Sequence, residues 1–187
     1  KGLVKNENGS YFYDIEDLDH NGNVDLSDGG DRYIAGQATP KVILGSNISF
    51  RYKNYYISIQ MNGAFGHKIF NGTGLAYTSM ACFPDYNVLK NAPKKNIIDQ
   101  RVSDYWLEKG DYLNFEHLTI GYNVPLRSKL IRSLRVSCNI SNIGTITGYK
   151  GLTPMINSYV VNSTMGIDDK RNYPLYRTYS LGLSVQF

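Results

Sequence analysis

An all-β fold is predicted by three features of this sequence of 187 residues. Apolar and polar residues alternate with a period of two in five stretches, as they do in strands whose two faces meet different surroundings. Tyrosine (16) and glycine (18) are abundant, and the apolar share of 42% is diluted by polar residues nearly everywhere. No apolar run approaches the ~18 residues of a membrane helix, so a segment that crosses a membrane would have to be a strand.

The first two alternating stretches, residues 42–52 and 55–65, predict a β-hairpin closed by Lys53 and Asn54. Each stretch carries most of its apolar side chains on one face. These are Val42, Leu44, Ile48, Phe50 and Tyr52 in the first stretch, and Tyr55, Ile57, Ile59, Met61 and Phe65 in the second. The opposite face includes the polar residues Asn47, Ser49 and Gln60. We therefore expect one face to meet an apolar medium and the other a polar one.

Three further strands are predicted at residues 112–122, 134–143 and 176–187. In the first of them, Leu113 and Phe115 fall out of phase with Leu118, which is explained either by a β-bulge between residues 114 and 117 or by a start of this segment above the membrane. The last stretch alternates most regularly of all. The polar face of the last two strands is predicted to hold Ser137, Asn139, Ser180 and Ser184.

Short and long connections alternate between these strands. Residues 53–54 and 123–133 are short connections, whereas 1–41, 66–111 and 144–175 are long and rich in Gly, Asn, Asp and Pro. Outer-membrane barrels have short periplasmic turns and long extracellular loops, and about 11 residues at ~3.3 Å rise and ~45° tilt span about 26 Å, close to their apolar band. Aromatic residues at the strand ends suit the headgroup level. The pattern predicts a transmembrane antiparallel β-barrel, and a soluble β-sandwich is the alternative.

Several functions are disfavoured by composition and spacing. The formal charge is +4 and the basic residues form no stripe, so nucleic acid is not an expected partner. Cys82 and Cys138 lie far apart and have no metal-ligand spacing. No Ser/His/Asp or Cys/His set stands on a recognisable nucleophile turn, so we do not expect an enzyme.

One acidic segment predicts a metal site. The spacing of an EF-hand calcium loop, with Asp in place of the final Glu, is matched by Asp17, Asp19, Asn21, Gly22, Asp25 and Asp28. Asn23 would add its backbone carbonyl. Hard oxygen ligands suit Ca²⁺, so we predict a structural calcium ion in the loop of residues 17–28. The alternative is a solvated turn rich in Asp and Asn without a metal.

Several short motifs occur together and in one order along nearly the whole chain. They are Asp17 to Asp25, Asp31-Arg32, Thr39 to Lys41, Tyr52 to Tyr55, Ser103 to Leu113, Leu118 to Pro125, Leu134 to Ser137, Gly166 to Asp168, Tyr173-Pro174 and Val185 to Phe187. By these motifs the chain resembles the C-terminal part of the SusC/RagA-type TonB-dependent transporters. It departs from the family pattern after Asp28, where two extra residues precede Asp31-Arg32.

The resemblance implies that residues 1–187 are the C-terminal part of a barrel of about 22 strands, with a plug that belongs to an N-terminal part absent from this sequence. It implies a multi-pass location in the bacterial outer membrane and TonB-dependent import of an oligosaccharide or a peptide. The implied partners are a SusD-like surface lipoprotein, TonB, the remainder of the same barrel and outer-membrane lipid. The rival reading is a secreted, calcium-stabilised β-sandwich module that binds carbohydrate.

Overall fold

The computed structural model describes residues 2–25, 27, 30–127, 130–156, 165–170 and 172–187, which divide into two compact units. The loop unit comprises Lys1–Thr39, His67–Lys109 and Tyr149–Asn172. The strand unit comprises Pro40–Gly66, Gly110–Gly148 and Tyr173–Phe187. Within the described ranges, no helix combines the length and the apolar character that a membrane crossing requires.

Groups of short elements separate the long strands along the described parts of the chain. The strands are β1 Gly2–Lys5, β2 Tyr11–Asp14, β3 Val42–Tyr52, β4 Tyr55–Phe65, β5 Lys68–Asn71, β6 Leu107–Lys109, β7 Tyr112–Val124, β8 Ser133–Thr147, β9 Ile167–Asp168 and β10 Thr178–Gln186. The helices are α1 Gly72–Thr78 and α2 Ala92–Lys95, with 3₁₀ turns at Met80–Cys82 and Asp104–Trp106.

The strand unit is one antiparallel sheet with the strand order β10-β8-β7-β4-β3. Lys53 and Asn54 connect β3 to β4, and Lys53 has a φ of 52°, the left-handed conformation that two-residue hairpin turns favour. Within the described residues, β3 and β10 each pair on one side only. The sheet therefore has two edges and does not close on itself within the described residues.

The strand register places most of the large apolar side chains of the five strands on one face. Every second row across the sheet is apolar, and three of these rows, from β3 to β10, are Ile48-Ile59-Leu118-Ile140-Tyr179, Phe50-Ile57-Ile120-Cys138-Leu181 and Tyr52-Tyr55-Tyr122-Val136-Leu183. The rows between them are polar and include Ser49-Ser58-Thr119-Asn139-Ser180. A slip of one residue in any strand would bring its polar side chains to the apolar face, so burial of that face in an apolar medium would select this register.

Of the two explanations for the change of phase in β7, the structure shows the bulge. The pairing of β4 with β7 shifts between Gln60 and Met61, because Met61 pairs with Phe115 while Gln60 pairs with His117. Glu116 is the extra residue on β7, and its carboxylate accepts a hydrogen bond from Asn62 Nδ2 at 3.0 Å. The bulge accounts for the change of phase in the sequence of this strand.

The last two strands differ from the predicted bounds for a related reason. β8 continues to Thr147, beyond the predicted end at residue 143, and Asn142 has a φ of 53° opposite the bulge of β7. This irregularity interrupts the alternation, so the sequence pattern stops where the strand does not. β10 begins at Thr178, because Asn142 Nδ2 donates to the carbonyl of Tyr176 at 2.9 Å and Arg177 donates to the carbonyls of Asn142 and Ile143.

The long connections form a compact unit with a core of its own. Two small sheets, β1-β2 and β6-β5-β9, lie in the loop unit together with α1 and α2. Tyr13, Ile97 and Trp106 are buried together, and Trp106 Nε1 donates to the Tyr13 hydroxyl at 2.5 Å. These segments were expected only as long loops, and the structure shows that they bury aromatic side chains as a small domain would.

Candidate functional site

The acidic loop after β2 is held by backbone amides that point at carboxylates. Asp17 accepts hydrogen bonds from the N–H groups of Asn21 at 3.3 Å and Gly22 at 2.8 Å. Gly22 has a φ of 86°, so the chain can make the sharp turn that the sequence predicted there. The N–H of Gly22 contributes most to holding the pKa of the Asp17 carboxyl below its usual value. Asp17 is therefore poised to carry a negative charge.

Asp31 closes this loop. Its Oδ1 accepts the N–H groups of Leu18 at 2.5 Å and Asp19 at 3.3 Å, and its Oδ2 accepts the N–H of Asp25 at 2.7 Å. The N–H of Asp31 in turn donates to the carbonyl of Asp25 at 2.7 Å, and the residue is only 6% exposed. The loop thus folds around Asp31, a residue that the sequence analysis did not include among the ligands.

Three carboxylates of this loop come together. One oxygen each from Asp17, Asp19 and Asp31 lie within 4.8 Å of one another, a spacing that could hold a metal ion. Such a cluster is repulsive unless a cation or hydrogen-bond donors compensate it. Carboxylate oxygens at this spacing have the chemistry that Ca²⁺ prefers, so the donor set fits this ion.

The other predicted ligands have different surroundings. Asn21 Nδ2 donates to Asp19 Oδ2 at 2.8 Å, and the Asn23 N–H donates to Asn21 Oδ1 at 2.8 Å. The Asp25 carboxylate accepts the hydroxyl of Ser27 at 2.6 Å, and this bond is the largest cause of the lowered pKa of Asp25. Asp28 lies outside the described residues. Asp17 and Asp19 are thus the predicted ligands that the structure brings together, with Asp31 as the third.

A cavity of about 730 Å³ lies in the loop unit beside this acidic loop. Its apolar walls include Tyr13, Phe70 and Leu107, and its polar walls include Asp31 and Arg32. Asp31 belongs both to the loop closure and to the cavity wall. An ion bound by the loop would therefore also stiffen one side of the cavity.

The polar face of the strand unit carries ladders of hydrogen-bonded side chains. Ser49 Oγ donates to Ser58 Oγ at 3.0 Å, and Ser58 Oγ donates to Asn47 Oδ1 at 2.9 Å. Thr119 Oγ1 donates to Asn139 Oδ1 at 2.8 Å in the same row of the sheet. These side chains satisfy one another, which suits a face that meets water or polar protein groups.

Two bacterial receptors are similar in sequence to this chain. A protein of Formosa agariphila named TonB-dependent receptor P3 is 28% identical over 188 residues, which covers 91% of this chain and 18% of that protein. The TonB-dependent receptor SusC of Bacteroides thetaiotaomicron is 26% identical over 196 residues, which covers 98% of this chain and 18% of that protein. The chain resembles the SusC-type TonB-dependent receptors. No family model matches the sequence.

The same likeness is found among solved structures. The structure of the RagAB peptide transporter superposes with a TM-score of 0.65 at 17% identity, over 82% of this chain and 18% of that one. The RagAB peptide importer in its 'closed-closed' state gives a TM-score of 0.58 at 15% identity, over all of this chain and 22% of that one. At these identities the structures show the fold alone, and they confirm the predicted all-β, barrel-type architecture.

The chain spans about a fifth of the length of the SusC-type relatives it matches. The predicted resemblance is confirmed over most of the chain, and it supports an outer-membrane location. These relatives are receptors and transporters rather than enzymes. Sequence reasoning missed Asp31 as a residue of the acidic loop, although the extra residues before Asp31-Arg32 were a signal that the loop closes later than an EF-hand does.

Proposed function

We propose that this chain is part of a TonB-dependent importer that takes up an oligosaccharide or a peptide across the outer membrane. The observation that carries the proposal is the apolar face of the strand unit. Large side chains remain exposed along it, with Phe50 at 64% and Leu181 at 86%. Water would penalise such a surface, whereas a lipid bilayer would stabilise it.

The same observation weighs against the rival β-sandwich. In a sandwich the apolar face of one sheet packs on a second sheet about 10 Å away, and the outer faces are polar. Here the described apolar rows run across all five strands and stay exposed. A secreted carbohydrate-binding module with this surface would aggregate, so the membrane reading is favoured.

The substrate and the partner are proposed from the relatives. One of them is SusC, and the similar solved structures are those of the RagAB peptide transporter and peptide importer. An importer of either ligand would work with a SusD-like lipoprotein and draw energy from TonB through parts of the protein outside this sequence. The loop unit, with its own core around Trp106, would offer a firm surface for that lipoprotein.

Uptake by whole cells tests this function. Cells that carry the full-length protein are supplied with labelled oligosaccharides or labelled peptides, and a protonophore is added to half of them. We expect one of the two pools to accumulate, and accumulation to stop with the protonophore or on loss of the proposed SusD-like lipoprotein. If cells that lack this protein accumulate both pools to the same level as cells that carry it, import by this protein is contradicted.

We further propose that the acidic loop binds a structural Ca²⁺ through Asp17, Asp19 and Asp31. The support is the approach of the three carboxylates to within 4.8 Å of one another. Oxygen sites in extracellular modules bind Ca²⁺ with a Kd of about 10⁻⁴ to 10⁻³ M, and we expect an affinity in this range. The ion would pin the loop rather than take part in chemistry.

Limited proteolysis of the full-length protein tests the calcium site. Calcium in the millimolar range should slow cleavage within residues 17–31 in the wild type and in Asp85→Asn, which changes an exposed carboxylate elsewhere in the loop unit. It should give no protection in the double variant Asp17→Asn/Asp19→Asn. Equal protection of all three proteins would show that the loop is ordered without this ion.

A further inference from the structure

Basic and acidic side chains are segregated within the strand unit. Its only acidic side chains are Asp111 and Glu116, which lie toward the ends of the strands that lead to long connections. The opposite ends of the strands, where the short turns lie, contain no Asp or Glu in residues 51–56, 119–127, 130–136 and 182–187. The basic residues in these stretches are Arg51, Lys53, Arg127, Arg132 and Arg135. This turn end is therefore strongly positive.

Two of these cations belong to the polar face. Arg135 pairs with Asn123 across the sheet, donates from Nε to Asn123 Oδ1 at 2.9 Å, and lies 5.3 Å from the ring centroid of Tyr56. Arg51 pairs with Tyr56 in the same polar series. Their charges are thus directed away from the apolar face.

The other three cations lie in the short turns, and all are exposed. Lys53 occupies the turn between β3 and β4, whereas Arg127 and Arg132 follow β7 and precede β8. Lys53 Nζ lies 5.3 Å from the ring centroid of Tyr52, which places its ammonium group on the apolar side of the sheet. A positive group thus stands at the border of the apolar face.

A row of tyrosines marks the same border. Tyr52, Tyr55 and Tyr122 are cross-strand neighbours, and the rings of Tyr55 and Tyr122 lie 4.7 Å apart. Tyr52 and Tyr55 are more than half exposed. Tyrosine rings favour the level of lipid headgroups, where the ring meets acyl chains and the hydroxyl meets water. The cations of the turns would then stand at the level of the phosphates.

We propose that Lys53, Arg127 and Arg132, together with this tyrosine row, form a turn-end patch that binds the headgroup phosphate of an anionic phospholipid. The proposal rests on the outer-membrane location and adds a ligand that import does not require. Complementary charge favours an anionic lipid headgroup, because the patch contains three cationic side chains and no acidic side chain. The tyrosine row favours a lipid over free phosphate. It connects the cations to the apolar face, and that face can contact the acyl chains of a lipid but offers nothing to a phosphate ion.

Native mass spectrometry of the full-length protein tests the patch. The protein is purified in detergent and mixed with equal amounts of phosphatidylglycerol and phosphatidylcholine of the same acyl chains. The test variant is Lys53→Gln/Arg127→Gln/Arg132→Gln. The control variant, Lys41→Gln/Lys90→Gln/Lys94→Gln, removes three exposed lysines outside the patch.

The wild type and the control variant should retain phosphatidylglycerol in preference to phosphatidylcholine. Each juxtamembrane cation contributes about fivefold to anionic lipid binding, so the test variant should lose most of the preference, and salt should weaken the preference of the wild type. An unchanged preference in the test variant would overturn the proposal, and so would an equal loss in the control. Inorganic phosphate that displaces the lipid at millimolar concentration would overturn the choice of a lipid.

The unfolding temperature of each variant in phosphatidylcholine nanodiscs provides the check on folding. Equal temperatures would assign a lost preference to the patch rather than to a damaged fold. Failure of the wild-type protein to enter nanodiscs at all would instead contradict its membrane location, and with it the import function.

Discussion

The two units of the chain treat apolar side chains in opposite ways. The loop unit buries Tyr13, Ile69 and Trp106 to less than 5% exposure. The strand unit has a similar supply of large apolar residues, but its rows of Ile, Leu, Phe and Tyr remain exposed on one face. A polypeptide in water buries its large apolar side chains, whereas a strand in lipid exposes them to the acyl chains. The contrast shows that one chain is adapted to two solvents.

Polar side chains give the same contrast. In the loop unit the buried Asp168 accepts hydrogen bonds from Thr73 Oγ1 at 3.0 Å and from the Tyr149 hydroxyl at 2.8 Å, so that a carboxylate joins separate segments of the chain. Burial contributes most to the raised pKa of Tyr149, so it stays a hydroxyl that can donate this bond. In the strand unit the polar side chains instead form ladders along one face, between neighbours in the sheet.

The largest expected loss of stability comes from a substitution in the core of the loop unit. Trp106→Ala removes a buried ring and its hydrogen bond to Tyr13, and we expect it to destabilise this unit by about 3–5 kcal/mol. Hydrogen exchange of the full-length protein should show faster exchange in β2 and β6, with β3 and β4 unchanged. Tyr86→Ala, which truncates an exposed ring, is the matched control and should change exchange little. Equal effects of the two variants would show that this core does not stabilise the unit.

The next effect tests which solvent the apolar face meets. Leu181→Arg places a charge on that face, and at mid-bilayer depth it should lower the free energy of unfolding in lipid vesicles by about 2–4 kcal/mol. Ser180→Arg, one residue earlier on the polar face, should cost much less. Urea unfolding of the full-length protein in vesicles measures both. A larger cost for Ser180→Arg would mean that the polar face is the one in contact with lipid.

A smaller loss of stability is expected where two residues pack closely on the polar face. A Cβ at Gly121 would lie 2.0 Å from the Tyr56 ring, whereas a Cβ at Gly45 would have no neighbour within 4 Å. Gly121→Ala must displace Tyr56, and we expect a cost of about 1–3 kcal/mol in the same urea measurement. Gly45→Ala, also inside a strand, should be neutral or slightly stabilising. Similar values for both would show that the ring moves aside freely.

The smallest effect concerns pH and the loop unit. Burial raises the pKa of Asp99, but hydrogen bonds from Arg101 and from the Tyr13 N–H outweigh it, so the pKa of this carboxyl is lowered in the folded protein. A lowered pKa stabilises the fold above the unfolded value of about 3.9, and this contribution is lost as the pH falls through the folded value. The protection of the β2 amides, measured against their intrinsic exchange rate at each pH, should therefore fall below about pH 4. Asp99→Asn should be less sensitive to acid, and an unchanged acid response would contradict this role.

Local patterns in the sequence determine much of the strand unit. The bounds Val42–Tyr52 and Tyr55–Phe65, the turn at Lys53 and the bulge near Glu116 can be read from alternation and its interruption, because each depends on neighbours along the chain. The apolar face follows from the same alternation once the strands pair in register.

Tertiary structure alone decided which residues meet in the loop unit. The acidic motif predicted ligands at Asp17 and Asp19 by analogy with a loop of standard length, and the structure brings their carboxylates together with that of Asp31, which accepts the N–H groups of Leu18 and Asp25. The core of Tyr13, Ile97 and Trp106 likewise joins residues far apart in the chain. Such contacts have no period along the sequence, because they depend on where separate segments return in space, and the free energy of burying them together selects the arrangement.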